Sequence, residues 1–478
     1  MDDSGPAVIG TPAPDPAPKD GRRTLEERIA IGKAQAKALP LEQIGDPPAR
    51  DGRPDIVEVL RAESRGRIAE LLPLRHGRMA EGPFATLRGT AGIMAADLAS
   101  RPSTDLIVQL CGDAHLANFG IYASPERSLV FDVNDFDETH PGPFEWDVLR
   151  LATSFVSCVR AKGDAEKAAS LARKVATVYQ ASMTDLAGRS TLDVLYERMT
   201  DKDIEALAEE SESNATIKEA EAALEKARRR THERAISRLT EVVDGVRRFK
   251  TTPPVLVRCE DDAIREGYQK EYAAYIDTLP AECQAIARRY GVVDFAMKVV
   301  GVGSIGTYCW VALLEGRDAD DQIILQMKEA TPSVLAPYVK NTGELSRFEH
   351  EGERIVRGQK LMQAVSDLFL GWLDGIPGTG RRYYARQLHD MKGGFNVEDA
   401  KFATIETYAD LCARTLARAH ARSGDAVAIA AYLASDDKFA DAVEVFAVAE
   451  SHFVVGDHKR LVEAIAGGEI EAINAEDA

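Results

Sequence analysis

Residues 111–139, CGDAHLANFGIYASPERSLVFDVNDFDET, constrain the fold more than any other stretch of the chain. Short apolar runs, DLIVQLC, FGIYA and LVFDV, alternate with aspartates, a histidine and two asparagines. Carboxylates buried in such surroundings cost free energy unless a cation or hydrogen-bond donors face them. The apolar runs therefore read as strands, and the polar residues between them as loops held in place by those strands. Asp113 and Asn118 form an Asp-x-x-x-x-Asn loop, and the turn SPERS lets a hairpin return Asp135 beside it. A loop so anchored can aim one carboxylate at a hydroxyl. An amide oxygen and a second carboxylate are left for a divalent cation. Magnesium accepts such oxygen-rich surroundings when it also holds substrate phosphates, and the whole is the layout of phosphoryl transfer.

A second stretch complements the first. GVGSIGTY sets Gly301, Gly303 and Gly306 in a G-x-G-x-x-G pattern, with Ser304 inside it. The pattern lies between two β-like runs, not between a strand and a helix as in a dinucleotide fold. A glycine-bearing hairpin of this kind can lay backbone amides over a triphosphate. The following strand, IILQMKEA, carries Lys328 among apolar residues, where an ammonium needs an anion. A helix expected from about Glu344 to Leu370 offers Glu353 as that partner, with Glu349 one turn earlier as the reserve.

GDAHLANFG resembles the catalytic loop of the aminoglycoside-phosphotransferase-like branch of the protein-kinase superfamily, and VNDFDETHPGPFEWDVLRLA resembles that branch's metal-binding segment. The resemblance implies that Asp113 is the catalytic base and that Asn118 and Asp135 are metal ligands. It makes Asp147 structural and His115 a hydrogen-bonding brace within the loop. Lys328 resembles the kinase lysine that grips the α and β phosphates, and RRYYARQLHDMKG resembles the strand and hinge that hold adenine. Most of the chain also resembles a bacterial family known as domain of unknown function 2252, a likeness that supplies no activity. Kinases run from glycine loop to lysine to catalytic loop, whereas here the catalytic loop comes first. A circular permutation accounts for this, because chain termini are often close together and exposed. YADLCARTLARAHARSGD resembles the helix before the catalytic loop, which puts the permuted cut near it.

The expectation is thus an α+β, two-lobed, protein-kinase-like fold, circularly permuted. A disordered leader spans 1–23, and a helical lobe with the catalytic and metal-binding loops spans 24–289, including a helical insertion at 161–248. A small β-rich nucleotide-binding lobe spans 290–395, and helices at 396–478 pack back on the helical lobe. The expected function is ATP- and Mg2+-dependent phosphoryl transfer to a hydroxyl of an unknown small molecule or protein. Two alternatives stay open: a catalytically silent nucleotide-binding pseudokinase, and transfer of AMP from the same fold. A metallophosphoesterase would want an upstream Asp-x-His and several histidines for a two-metal site, and His76 is the only histidine upstream of the loop.

A net charge of −18 speaks against non-specific nucleic-acid binding, which needs a basic footprint. The six scattered cysteines show no zinc-ligand spacing and suit a reducing cytoplasm. No apolar run reaches membrane-spanning length. Oligomeric state is left open.

Overall fold

The computed structural model describes residues 23–49, 51–299, 305–339, 343–375, 379–388, 391–397, 399–435 and 437–473. The leader expected over 1–23 lies outside these residues except for Arg23. Described structure begins at a capping box, in which the Thr24 hydroxyl accepts from the Glu27 N–H and the Glu27 carboxylate accepts from the Thr24 N–H. It opens helix α1 (Leu25–Ala38), which is followed by four short helices: α2 (Ile56–Glu63), α3 (Leu72–Met79), α4 (Pro83–Gly89) and α5 (Ala91–Ala99). The stretches DIVEVLRAESRGRIAELLP and FATLRGTAGIMAADLAS each carry a helical apolar period from end to end, and each is broken in the middle. Gly66 turns the chain at φ +85° after α2, and Thr90 leaves helical geometry between α4 and α5.

Strand β1 (Ile107–Leu110) leads into the acidic loop. β2 (Phe119–Ala123) and β3 (Leu129–Val133) form the expected hairpin, and β4 (His140–Pro143) returns to pair with β1. Helix α6 (Phe144–Arg160) is buried at every position from Phe144 to Val159. It runs through a core shared with helix α7 (Ala165–Ala187). Residues 191–239 add helices α8–α11 (Thr191–Tyr196, Asp201–Glu210, Asn214–Arg228, His232–Leu239) and strand β5 (Met199–Thr200), which pairs with β3. The expected helical insertion therefore contains one short strand and ends in a hairpin, β6 (Thr240–Val243) and β7 (Val246–Phe249).

The principal sheet has six antiparallel strands. β8 (Leu256–Arg258) precedes helices α12 (Asp262–Asp277) and α13 (Ala281–Ala287). Next come β9 (Gly291–Lys298), β10 (Cys309–Glu315) and β11 (Gln322–Glu329), then helix α14 (Glu351–Met362), then β12 (Gly371–Asp374) and β13 (Arg382–Gln387). Their spatial order is β12-β13-β11-β10-β9-β8. Alternate side chains of the sheet feed two separate apolar clusters, as the two-residue period of a strand requires. The boundary expected at 289/290 falls inside this unit: Tyr268, Tyr275 and Cys283 from α12 and α13 pack with Phe295 and Trp310 of the sheet. The helix expected over about 344–370 is confined to α14, which ends at Met362 with Gln363 already in extended geometry, ahead of β12. The remaining helices are α15 (Phe402–Ser423), α16 (Ala426–Tyr432) and α17 (Lys438–Ala466), and they pack on α6 and α7.

The chain is thus α+β, with small antiparallel sheets among many helices. All six cysteines are buried, and none is in a disulfide. Among the described residues no helix is long and apolar enough to cross a membrane.

Candidate functional site

The acidic loop is hung from α6. Asp147, in its first turn, accepts hydrogen bonds from the N–H groups of Cys111 (2.7 Å) and Gly112 (3.1 Å). His420 of α15 reaches the same carboxylate at 3.2 Å through Nε2, and Tyr179 of α7 lies 2.9 Å from His420 Nδ1. Three buried groups, one from each of three helices, therefore fix where the loop leaves β1. Gly112 sits at φ +84°, and a Cβ there would lie 2.1 Å from the Glu138 carbonyl oxygen, so only glycine fits.

Inside the loop, the Asp113 carbonyl accepts from the His115 N–H (2.7 Å) and from Asn118 Nδ2 (2.8 Å). Arg150, one turn along α6 from Asp147, donates from Nε to Asp113 Oδ1 at 2.7 Å. The His115 ring accepts from the Ala117 N–H through Nδ1, which puts its proton on Nε2, 3.7 Å from Asp113 Oδ2. Burial pushes this imidazole down to about 3 against the pull of Asp113, so it is neutral at pH 7.

The β2–β3 hairpin returns the chain to the loop, where the Asn134 N–H donates to the Asn118 carbonyl at 2.9 Å. The turn that follows meets the large sheet. Lys328 Nζ on β11 donates to Asp137 Oδ2 at 2.6 Å and lies 3.4 Å from Asp135 Oδ1. Tyr384, paired with Lys328 across β11 and β13, donates to Asp137 Oδ1 at 2.7 Å. Arg386, two residues on, donates to the Asn134 carbonyl at 3.1 Å. Burial opposes the charge on Lys328, yet Asp135 and Asp137 outweigh it and raise the ammonium well above its ordinary range. Burial likewise opposes ionisation of Asp135, and the charges of Lys328, Arg386 and Lys392 hold it below the usual carboxylate range. Lys392 is pushed down to about 7 by burial, with Arg386 adding to the shift.

Asp113, Asn118, Asp135 and Lys328 line one cavity of about 1180 Å³, together with His115 and, from the end of β13, Gln387 and Leu388. The pairing of Lys328 with Glu353 does not occur. Glu353 faces Arg357 at 3.3 Å on the outer side of α14, because the acidic turn already supplies two counter-ions to the lysine. The reserve candidate, Glu349, contributes a carbonyl to Arg382. Gly306 is described, at φ +88°, and its carbonyl accepts from the Ile68 N–H at 2.7 Å. Gly301, Gly303 and Ser304 lie outside the described residues.

Sequence reasoning missed two guanidinium groups that organise the site. Arg150 is one of four charged residues in α6, with Glu145, Asp147 and Arg160, and burial from Phe144 to Val159 obliges each charge within that stretch to find a partner. Arg354, buried on α14, donates to the carbonyls of Asp137 (3.0 Å), Thr331 (2.7 Å) and Thr139. No spacing rule marks it, since its three acceptors come from two distant segments.

Among the described residues no cluster of three or more His, Cys, Asp or Glu side chains forms a metal cage. Asn118 and Asp135 nonetheless fit magnesium, which commonly takes one or two protein oxygens and completes its shell with phosphates and water. Asn118 Nδ2 is committed to the loop, which leaves its amide oxygen as the ligand atom, and Asp135 has one oxygen beyond the reach of Lys328's ion pair.

A family profile described as an uncharacterized protein conserved in bacteria, domain of unknown function 2252, matches residues 67–464, and the chain belongs to that family. No curated protein and no solved structure matches it.

Proposed function

We propose that this family member is an ATP- and Mg2+-dependent phosphotransferase with a circularly permuted, protein-kinase-like arrangement. One observation carries the reading: Lys328 lies within an ion pair of Asp135, 193 positions away in the chain, on the cavity that Asp113 and Asn118 also line. The chain order of the large sheet supports it further. A glycine-bearing turn joins β9 to β10, the lysine follows on β11, and a helix and two more strands come next, the order in which kinase small lobes are built.

Asn118 and Asp135 would hold the magnesium, which neutralises charge on the β and γ phosphates when bound. Lys328, Arg386 and Lys392 bind and orient the phosphate chain from the sheet side. Asp113 accepts the proton of the acceptor hydroxyl as its oxygen bonds to the γ phosphorus. The bond from that phosphorus to the β–γ bridging oxygen breaks, and ADP carries away the electron pair. Arg150 keeps the Asp113 carboxylate aimed, and His115, neutral and tied to the loop, holds the backbone in shape.

Calorimetric titration with a non-hydrolysable ATP analogue, with and without magnesium, tests the reading. Wild type is expected to bind in a magnesium-dependent way. Asp135→Asn is expected to lose the magnesium dependence, and Lys328→Met to bind more weakly. Equal binding by wild type and Asp135→Asn at limiting magnesium would sink the assignment of the metal ligand. Failure of wild type to bind the analogue would sink the function.

A further inference from the structure

The cavity carries far more positive charge than an acidic chain would suggest: eleven lysines and arginines against seven carboxylates among the described residues that line it. Those on the sheet side have a use in the phosphate chain. Those on and between the N-terminal helices, where Arg67 donates to the Ile305 carbonyl of the glycine turn, have no part in it.

Arg75 on α3 is 1% exposed and lines the cavity. Its Nη2 donates to Glu63 Oε2 (2.9 Å) and to the Gly89 carbonyl (3.0 Å), while Nε and Nη1 have no hydrogen-bond partner. A guanidinium with two idle buried donors is costly unless a ligand takes them. Arg88 lines the same cavity, its Nε buried and likewise without a partner, and its guanidinium stands 5.8 Å over the Phe84 ring. The N-terminus of α5 follows directly on Gly89, whose carbonyl Arg75 holds. The Thr90 hydroxyl, placed to cap it, donates instead to the Thr86 carbonyl at 2.9 Å, so no side chain caps the helix. Gly89 and Ala91, on either side of Thr90, both line the cavity. Uncapped helical N–H groups and idle guanidinium donors together make an oxyanion site. Two carboxylates stand nearby: Glu63, bound to Arg75 and with Oε1 3.0 Å from where a Gly92 Cβ would lie, and Glu138, bound to the Val334 N–H.

The relation to Asp113 is fixed by Arg150. Its Nη2 donates to the Leu87 carbonyl at 2.9 Å and its Nε to Asp113 Oδ1. The end of α4 thus stands one guanidinium away from the base. We propose that the α4–α5 junction, with Arg75 and Arg88, binds an oxyanion carried by the acceptor, so that the acceptor is an alcohol bearing a phosphate or a carboxylate. The assignment to the acceptor rests on the phosphotransferase reading, while the anion site stands on its own geometry. An anion held there leaves a hydroxyl of the same molecule free to face Asp113, and the sheet-side cations stay with the nucleotide.

Calorimetric titration of the full chain with inorganic phosphate and, separately, with acetate tests the site. Arg75 is wholly buried and its loss endangers folding, so the deciding variant is Arg88→Gln, at a partly exposed position. Wild type is expected to bind one of the two anions, and Arg88→Gln to bind it about tenfold or more weakly, the loss of one charge-assisted hydrogen bond. The anion preferred, phosphate or carboxylate, identifies the group the acceptor carries. Undiminished binding in Arg88→Gln, or no binding of either anion up to about 10 mM, overturns the site. The ATP analogue with magnesium is titrated into the same variant. Unchanged affinity supports the acceptor assignment, and joint loss of anion and nucleotide overturns it by giving these arginines to the nucleotide. Anion binding by a wild type that ignores nucleotide leaves the site standing and rejects the phosphotransferase reading.

Discussion

Asp113 shares one carboxylate oxygen with Arg150, and an asparagine oxygen can keep that bond while losing the capacity to take a proton. Asp113→Asn is therefore expected to retain magnesium-dependent nucleotide binding and to lose about 10²–10⁴ in transfer rate. Calorimetry read beside ADP release checks both halves. Lys392 gives a second prediction at this scale. Its folded pKa near 7 lies below that of the unfolded chain, so between about pH 7 and 10 the unfolded chain holds the extra proton and stability rises with pH. Lys392→Met is expected to flatten that rise, which thermal melts across the window will show. A phosphate beside the ammonium favours its charge, so nucleotide binding above pH 7 is expected to draw in a proton that the variant does not take up. The loop residues Asp113, Asn118 and Asp135 could be read from the sequence because strand, turn and strand force them together locally. The partner of Lys328 could not. The lysine's need for an anion was plain, yet the acidic turn that meets it lies 191 positions away, and only the packing of the sheet on the loop decides for Asp137 over Glu353.

At the level of elements, α14 and the acidic turn are joined through one side chain. Arg354 holds carbonyls of Asp137 and Thr139 in the turn and of Thr331 at the exit of β11, and its Nε is paired with Glu351 at 2.6 Å. Arg354→Met strands these acceptors and is expected to cost about 2–4 kcal/mol in urea unfolding. Hydrogen exchange is expected to accelerate in α14 and in residues 134–139 together. Acceleration in α14 alone would show that the turn holds itself. The strands were the legible elements: β2, β3, β9, β10, β11 and β13 all follow from alternating or continuous apolar runs bounded by turn residues. β12 was not, because GWLD is too short to show a period. The N-terminal helices broke where Gly66 and Thr90 interrupt them, positions at which the apolar pattern carries on although the backbone does not.

Across the whole molecule, the cavity is assembled from segments near both ends of the sequence, so no fragment contains it. The composition change at KTTPPVLVR marks where the sheet unit begins better than the first long strand does, since β8 and the helices α12 and α13 already belong to it. The buried thiols have a practical consequence. A cysteine shut away from solvent reacts with a labelling reagent only in molecules that have opened around it. Cys111 stands at the root of the acidic loop, 3.3 Å from the Asp135 carbonyl, and Cys309 lies across from Lys328 on the sheet. Cys412 sits on α15 within the main helical core, one turn along from Tyr408. The molecule carries its own stopwatches, two that time the parting of loop and sheet and one that times loss of the helical core. Mg-ATP is expected to slow labelling at Cys111 and Cys309 more than at Cys412. A single common rate for all three, with and without nucleotide, would mean that the cleft opens only when everything does.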